Sequence, residues 1–220
     1  DAFAHTVAHD LKNPLSHMVT SLNIIEDESD CLPEEIQQIV NLSVQASYKM
    51  NSIIQELLLL ASVRKQQVQL QPVDMTEVVE QALGRLPQLI KQYQPTILLP
   101  DTWPIVESYA PWLEEIWVNY LSNGLKYGGS PPRLELGANT EEDGQVRFWI
   151  KDNGPGLTPE AQETLFTEFT RLETIRVDGH GLGLSIVRRI MDKLEGECGV
   201  ESNVGEGSLF YFSLPPLPPA

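Results

Sequence analysis

Cysteine is almost missing from this chain: 220 residues contain only Cys31 and Cys198, far apart and without His or Cys neighbours at metal-ligand spacing. That excludes a disulfide framework and a zinc site, and fits a reducing compartment best. Positive charge is scarce as well. Fifteen Lys and Arg stand against 31 Asp and Glu, a formal net charge of −16. Nucleic-acid affinity rests on clustered cations, so no nucleic-acid partner is expected. No apolar run approaches the ~20 residues that span a bilayer, and no cationic stretch followed by an apolar one opens the chain. The expectation is a cytoplasmic piece with no membrane contact of its own. Helical patterning already runs through Asp1–His5 without a start signal, as in a fragment whose upstream sensing or membrane segment is absent.

The chain holds 41% hydrophobic and 21% charged residues, an ordinary content for a folded protein. Its length suits one domain of about 100–150 residues plus an appendage. Phe3, Val7, Leu11, Leu15, Met18, Val19, Leu22 and Ile25 recur at steps of three and four, which predicts an amphipathic helix. Pro14 cannot donate to the Asp10 carbonyl and clashes with it, so a bend is expected just past His9. After a polar turn, Glu26–Pro33, the positions Ile36, Ile39, Ser43, Ala46, Met50, Ile53, Leu57 and Leu60 form a heptad-like seam. Two such helices cannot enclose their own apolar faces. A dimeric four-helix bundle is the simplest solution.

Val68–Val73 reads as a short extended linker. Met75–Lys91 reads as a helix with Asp74 at its N-cap and Glu77 three residues on. Strand-like runs follow at Thr96–Leu99, Ile105–Ser108, Arg133–Gly137, Val146–Lys151, Gly199–Ser202 and Ser208–Leu214. They are mixed with helical stretches Pro111–Tyr127, Pro159–Phe166 and Gly183–Glu195. This is an α/β pattern with helices on a mixed sheet. The Pro-rich end, residues 215–220, cannot continue a central strand and reads as a tail.

Four stretches carry chemistry. On Pro111–Tyr127, Asn119, Asn123, Lys126 and Tyr127 share one stripe at i, i+4, i+7 and i+8. An Asn oxygen can ligate Mg2+, which keeps several waters and takes phosphate oxygens, and a nearby Lys can reach those phosphates. The same stripe could equally be a solvated face. Asp152 ends the strand Val146–Lys151, and Gly154 and Gly156 leave the backbone free to approach a flat ligand such as adenine; the same five residues also make a good turn. Gly179-His180-Gly181-Leu182-Gly183-Leu184 opens a helix, placing backbone N–H groups and a positive helix end where phosphates can sit. It does not follow a strand in a βαβ unit, which disfavours a dinucleotide site. Between these lie Leu165–Arg171, with Phe166 and Phe169 as anchors or plain core and Arg171 as a cation for a transferring phosphoryl group. Near the start, His9 and Asp10 are adjacent, and a carboxylate that fixes one imidazole nitrogen leaves the other nucleophilic. His5 and His17 lack that company.

Taken together these motifs resemble the cytoplasmic core of sensor histidine kinases, over Phe3 to Leu214. Phe3–Leu15 looks like the H box, Asn119–Tyr127 the N box, Asp152–Gly156 the G1 box, Leu165–Arg171 the F box, Gly179–Leu184 the G2 box and Gly205-Glu206-Gly207 the final glycine motif. The resemblance implies an α+β multidomain chain. Residues 1–66 would be a two-helix hairpin forming a homodimer and carrying the phospho-acceptor, 67–72 a linker, and 73–214 an ATP-binding α/β sandwich of the Bergerat (GHKL) type. ATP with Mg2+ would phosphorylate His9, with Asp10 as general base, Asn123 as Mg2+ ligand, Asp152 reading adenine and Arg171 near the transferred group. Asn119, Lys126, Tyr127, Gly154, Gly156, Phe169, Gly179, Gly181, Leu182, Gly183 and Leu184 would complete the nucleotide site. The phosphoryl group would pass to an aspartate on the receiver domain of a response regulator. Asp10-xx-Asn13 also resembles the family's phosphatase motif, with Asn13 placing a water.

Three departures stand out: Asp10-Leu11-Lys12-Asn13 in place of the commoner Glu-x-Arg-Thr/Asn, Gly124 where Ala usually follows the Mg2+-binding Asn, and His180 at a small-residue place. Gly124 predicts a locally looser helix, by ~1 kcal/mol relative to Ala. Related ATP hydrolases carry a water-activating glutamate four residues before the metal-binding Asn. Here Asn119 stands there, and an amide is no general base, so transfer to an imidazole is favoured over hydrolysis. A dimeric nucleotide-binding scaffold without transfer is the other alternative.

Overall fold

The computed structural model describes residues 14–25, 32–65, 68–167 and 183–215. The chain divides into two units, residues 1–65 and 66–220.

In the first unit, helix α1 (14–25) precedes the 32-residue α2 (Glu34–Lys65). Glu34 and Glu35 occupy the first turn of α2, where the positive helix end favours carboxylates. Gln37 Nε2 donates to Leu32 O at 2.9 Å and fastens the entry to that helix. The bend expected past His9 lies outside the described residues. Two stripes share α2. Val40, Val44 and Ser47, at i, i+4 and i+7, are buried, whereas Ile36, Ile39 and Met50 of the predicted seam are 42%, 58% and 43% exposed. The chain therefore covers one face of this helix and leaves most of the described seam open to water.

The second unit runs β1 (Gln71–Val73), α3 (Met75–Gly84), α4 (Pro87–Tyr93), β2 (Thr96–Leu98), β3 (Val106–Ser108), α5 (Ala110–Tyr127), β4 (Arg133–Thr140), β5 (Val146–Lys151), α6 (Pro159–Thr164), α7 (Gly183–Lys193), β6 (Glu197–Ser202) and β7 (Ser208–Leu214). Its main sheet has the order β2-β4-β5-β7-β6, with β2 parallel to β4 and the other pairs antiparallel. The period of two sorts each strand. On β5, Val146, Phe148 and Ile150 are buried and Arg147, Trp149 and Lys151 are not. Helix α5 packs on the buried side and α3 and α7 flank it, giving the expected sandwich of helices on a mixed sheet.

Trp117 sits at the centre with no exposed surface. Its indole N–H donates to Met75 Sδ at 3.1 Å, and its ring meets Trp103 and Phe212 edge-on at centroid distances of 5.8 and 5.5 Å. Phe148 and Phe212 stack at 5.1 Å across the β5–β7 pair. Tyr120 buries its ring against Phe210 and donates its hydroxyl to Tyr211 O at 2.8 Å, so its polar end is satisfied.

Two expectations need correction. The stretch Met75–Lys91 is not one helix: α3 ends at Gly84, and Pro87, which has no N–H to continue it, opens the separate α4. Val68–Val73 is not only a linker, because Gln71–Val73 forms β1 and pairs antiparallel with β3. Three residues carry too short an alternation to declare a strand. The N-cap at Asp74 holds, its Oδ1 accepting from Thr76 N at 2.8 Å.

Replacing Trp117 with Ala opens a cavity at the point where α3, α5 and β7 meet. The expected cost is about 3–5 kcal/mol, read as a lowered urea midpoint; a loss within ~1 kcal/mol would contradict this role for Trp117.

Candidate functional site

Helix α5 forms one wall of the site. Trp112, Leu113, Ile116, Trp117, Tyr120, Leu121 and Leu125 are buried in the core, and the helical period leaves Asn119, Asn123, Lys126 and Tyr127 half-buried on the other side. Asn119 Nδ2 donates to Glu115 O at 2.8 Å. Its Oδ1 lies where a Cβ on Gly183 would fall, so a glycine at the first residue of α7 lets that helix start directly against Asn119. The Asn123 amide has no hydrogen-bond partner among the described residues. A half-exposed, uncommitted amide oxygen suits a hard cation that keeps most of its other ligands as water and phosphate.

Gly124 has a packing reason. A Cβ there would come within 2.6 Å of Leu134 Cδ2, so β4 rests directly on the helix at this point.

The second wall is the turn after β5. Asp152 is 8% exposed. Its Oδ1 accepts from Gly154 N at 2.8 Å and Ser208 N at 3.2 Å, and its own N–H donates to Ser208 O at 2.9 Å. Burial pushes the carboxyl above its ordinary value, and the Gly154 and Ser208 donors oppose that shift without cancelling it. Gly154 packs against Tyr127 O at the end of α5, which brings the two walls together. Asn153 fastens them: its Oδ1 accepts from Arg133 N at 2.7 Å and its Nδ2 donates to Pro131 O at 3.3 Å, holding the loop that follows Tyr127.

The floor is the β6–β7 turn. Gly205 N donates to Pro155 O at 2.7 Å. Gly156 has φ +71° and lies against Asn203 O, a conformation and a clearance that only glycine meets. Ser208 is a site residue that the motif reading passed over. Its position directly after Gly205-Glu206-Gly207 was the available signal, but its two bonds to Asp152 exist only once β7 lies beside β5.

Glu115 is the carboxylate one turn before Asn119. Arg85 Nη1 holds it at 2.7 Å and Glu114 at 2.9 Å, so it is engaged away from the polar stripe. Burial first of all drives the Cys198 thiol up to about 11, which disfavours its thiolate form. Among the described residues no cluster of three His, Cys, Asp or Glu could hold a metal. The structure thus gathers Asn119, Asn123, Lys126, Tyr127, Asp152, Gly154, Gly156 and Gly183 on neighbouring elements, with Leu184 half-buried in the first turn of α7. His9, Asp10, Asn13, Phe169, Arg171, Gly179, Gly181 and Leu182 lie outside the described residues.

Residues 109–218 match the family of histidine kinase-, DNA gyrase B- and HSP90-like ATPases, and residues 1–66 match the His Kinase A (phospho-acceptor) domain. The chain is 34% identical over 216 residues to the phytochrome-like protein Cph1 of Synechocystis sp., covering 97% of this chain and 29% of that protein. It is 30% identical over 226 residues to the adaptive-response sensory kinase SasA of Thermosynechococcus vestitus, covering 98% of this chain and 60% of the relative. The chain therefore spans less than two thirds of either relative, 29% of one and 60% of the other. Full-length ShkA, solved in complex with AMPPNP, superposes with a TM-score of 0.76 at 25% identity, over 97% of this chain and 45% of that one. No helix among the described residues is long and apolar enough to cross a membrane. A phospho-acceptor domain followed by an ATPase domain of this kind, with every motif in family order, places the chain among the sensor histidine kinases, as their catalytic core.

Proposed function

We propose that this chain binds ATP with Mg2+ in the unit 66–220 and transfers the γ-phosphoryl group to His9, from which it passes to an aspartate on a response-regulator receiver domain. The observation that carries this reading is the convergence of three elements: the polar stripe of α5, the Asp152 turn and the start of α7, which Gly183 seats against Asn119. ShkA, solved with AMPPNP, supports a nucleotide in such a site. Asp152 accepts the adenine amino group with its second oxygen, the first being held by two backbone N–H groups. Asn123 supplies the protein ligand to Mg2+, which neutralises phosphate charge, and Lys126 reaches the phosphates as a cation. Gly183 and Leu184 at the start of α7, with Gly179, Gly181 and Leu182 of the same motif, and Tyr127, Gly154, Gly156 and Phe169 complete the nucleotide contacts, and Arg171 stabilises charge on the moving phosphoryl group.

Asp10 orients His9 and takes its proton. The absence of a glutamate at 119, together with the engagement of Glu115 by Arg85, supports transfer to imidazole rather than to water. The open Ile36, Ile39 and Met50 stripe supports a homodimer through residues 1–66. The same bundle removes phosphate from the regulator, Asn13 placing the attacking water. The proposed assignment of parts is 1–66 for dimerisation and phosphotransfer, then a linker that ends where β1 begins at Gln71, and from there to 214 for ATP binding, in a cytoplasmic setting.

Incubation with γ-labelled ATP and Mg2+ should leave an acid-labile, base-stable phosphoryl group on the chain that His9→Ala abolishes. Steady phosphate release without labelling would instead indicate a hydrolase, and binding alone a scaffold. Asn13→Ala should weaken regulator dephosphorylation and spare autophosphorylation; equal loss of both in a folded protein would sink that division of roles.

Asp152→Asn keeps an oxygen for Gly154 N and Ser208 N but turns an N–H toward the adenine amino group. ADP affinity should fall about 10- to 100-fold, by calorimetry. Because the folded carboxyl is raised above its ordinary value, the fold binds more protons than the unfolded chain in that window. Nucleotide-free stability contributed by Asp152 therefore rises as pH falls through it, while ADP affinity drops. Asp152→Asn should remove both slopes and not lower the nucleotide-free melting temperature at neutral pH; a lower one would contradict the stated cost of burying this charge.

A further inference from the structure

One residue, Ser202, joins the Asp152 turn to β7 through its hydroxyl and to helix α6 through its backbone carbonyl. Ser202 closes β6, and its Oγ donates to Gly207 O at 2.8 Å, accepts from Leu157 N at 2.8 Å and lies 3.0 Å from Ser208 Oγ. A hydroxyl has one proton and two lone pairs. With its proton on Gly207 O, Ser202 accepts from both Leu157 N and Ser208 Oγ, and its hydrogen-bonding capacity is full. The backbone of Ser202 is engaged too. Its carbonyl accepts from Gln162 Nε2 at 2.9 Å, and the same amide donates to Leu157 O at 3.1 Å.

Ser208 faces Ser202 across the β6–β7 pair and gives its own N–H to Asp152 Oδ1. A continuous polar path thus runs from Gln162 on α6 through Ser202 and Ser208 to the Asp152 carboxylate. Among the described residues Ser202 makes no hydrogen bond to the Asp152 carboxylate or to the α5 stripe, so it is assigned no part in the chemistry itself. What it fixes is where the turn 152–157 stands relative to β7. A turn free to shift by a fraction of an ångström would move an adenine acceptor out of register. Helix α6 leads in sequence to Phe169, Arg171 and Gly179–Leu184, and it is the Ser202 carbonyl, through Gln162, that fastens this helix beside the hydroxyl's bonds to Leu157 and Ser208.

We propose that Ser202 is a positioning residue for nucleotide binding, holding Asp152 in place through Ser208 and Leu157 and linking it to α6 through Gln162. The inference rests on the ATP-site reading above and assigns no new chemistry to that site. A residue that merely fastened a hairpin would change stability and leave binding by the folded protein untouched. A positioning residue splits the two kinetic constants: the apparent KM for ATP rises and the saturated rate stays.

The test uses the whole chain, with ADP-Mg2+ binding by calorimetry, His9 labelling against ATP concentration, and thermal unfolding alongside. Ser202→Ala is expected to weaken ADP-Mg2+ by about tenfold and to keep the labelling rate at saturating ATP within about twofold. Ser202→Thr, which retains the hydroxyl, should recover affinity to within about threefold of the unsubstituted chain. Unchanged affinity in S202A, a fallen saturated rate at unchanged KM, or S202T no better than S202A would each overturn the proposal. If S202A does not fold, Gln162→Ala decides: a several-fold rise in KM at constant saturated rate supports the path, and no change overturns it. Failure of the unsubstituted chain to bind ADP-Mg2+ defeats the site reading and the inference together, whereas binding that is indifferent to S202A defeats the inference alone.

Discussion

Helix α5 must serve two surroundings at once, and the architecture of the second unit follows from how it does so. One side carries Trp117 and Tyr120, whose rings fill the space over β5 and β7 and whose polar ends are met by Met75 and by Tyr211 O. The other side carries Asn119, Asn123, Lys126 and Tyr127, which remain half-buried. Rotation of this helix by one residue would turn the polar stripe toward Phe148 and Phe212 and bring indoles into the site. Aromatic packing thus sets the angle at which the amides are presented. Edge-on and stacked pairs add about 0.5–1.5 kcal/mol each beyond area burial, so the core has a strong preference for one rotation.

Along its axis the helix is positioned differently, by close approaches at glycines. Gly124 lies on Leu134, Gly154 on Tyr127 O, and Gly183 on Asn119. Gly154 thus meets the backbone of α5 directly, while Gly124 and Gly183 leave room for the side chains of Leu134 and Asn119. The Asp152 carboxylate lies within this arrangement, and its environment is a compromise. Burial raises it, while two N–H donors hold one of its oxygens and oppose that shift. A group held at some cost in the empty fold and satisfied by a bound partner is the kind expected at a binding site.

In the helical unit the same logic separates two stripes on α2. Val40, Val44 and Ser47 are covered by the chain itself, and Ile36, Ile39 and Met50 are not. Such an open apolar stripe in a 32-residue helix is an unfinished interface.

Much of this was legible in the residues. The strand Val146–Lys151, the helix ending at Tyr127, the cap at Asp74 and the ordered motifs follow from period, turn chemistry and spacing, which are local properties of a chain. Other features were not, because their physical cause lies far away in sequence. Gln71–Val73 becomes a strand only beside β3, and Gly124 reads as a weak helix former until Leu134 is seen against it. Ser208 and Ser202 look like ordinary strand serines until pairing brings them beside Asp152 and Leu157. Short-range order was thus encoded by the sequence of residue types, as was the kind of chemistry available. Which half-buried groups actually meet, and how firmly each is held, was settled by long-range packing, since hydrogen bonds and close contacts between distant segments exist only after the sheet and α5 have come together.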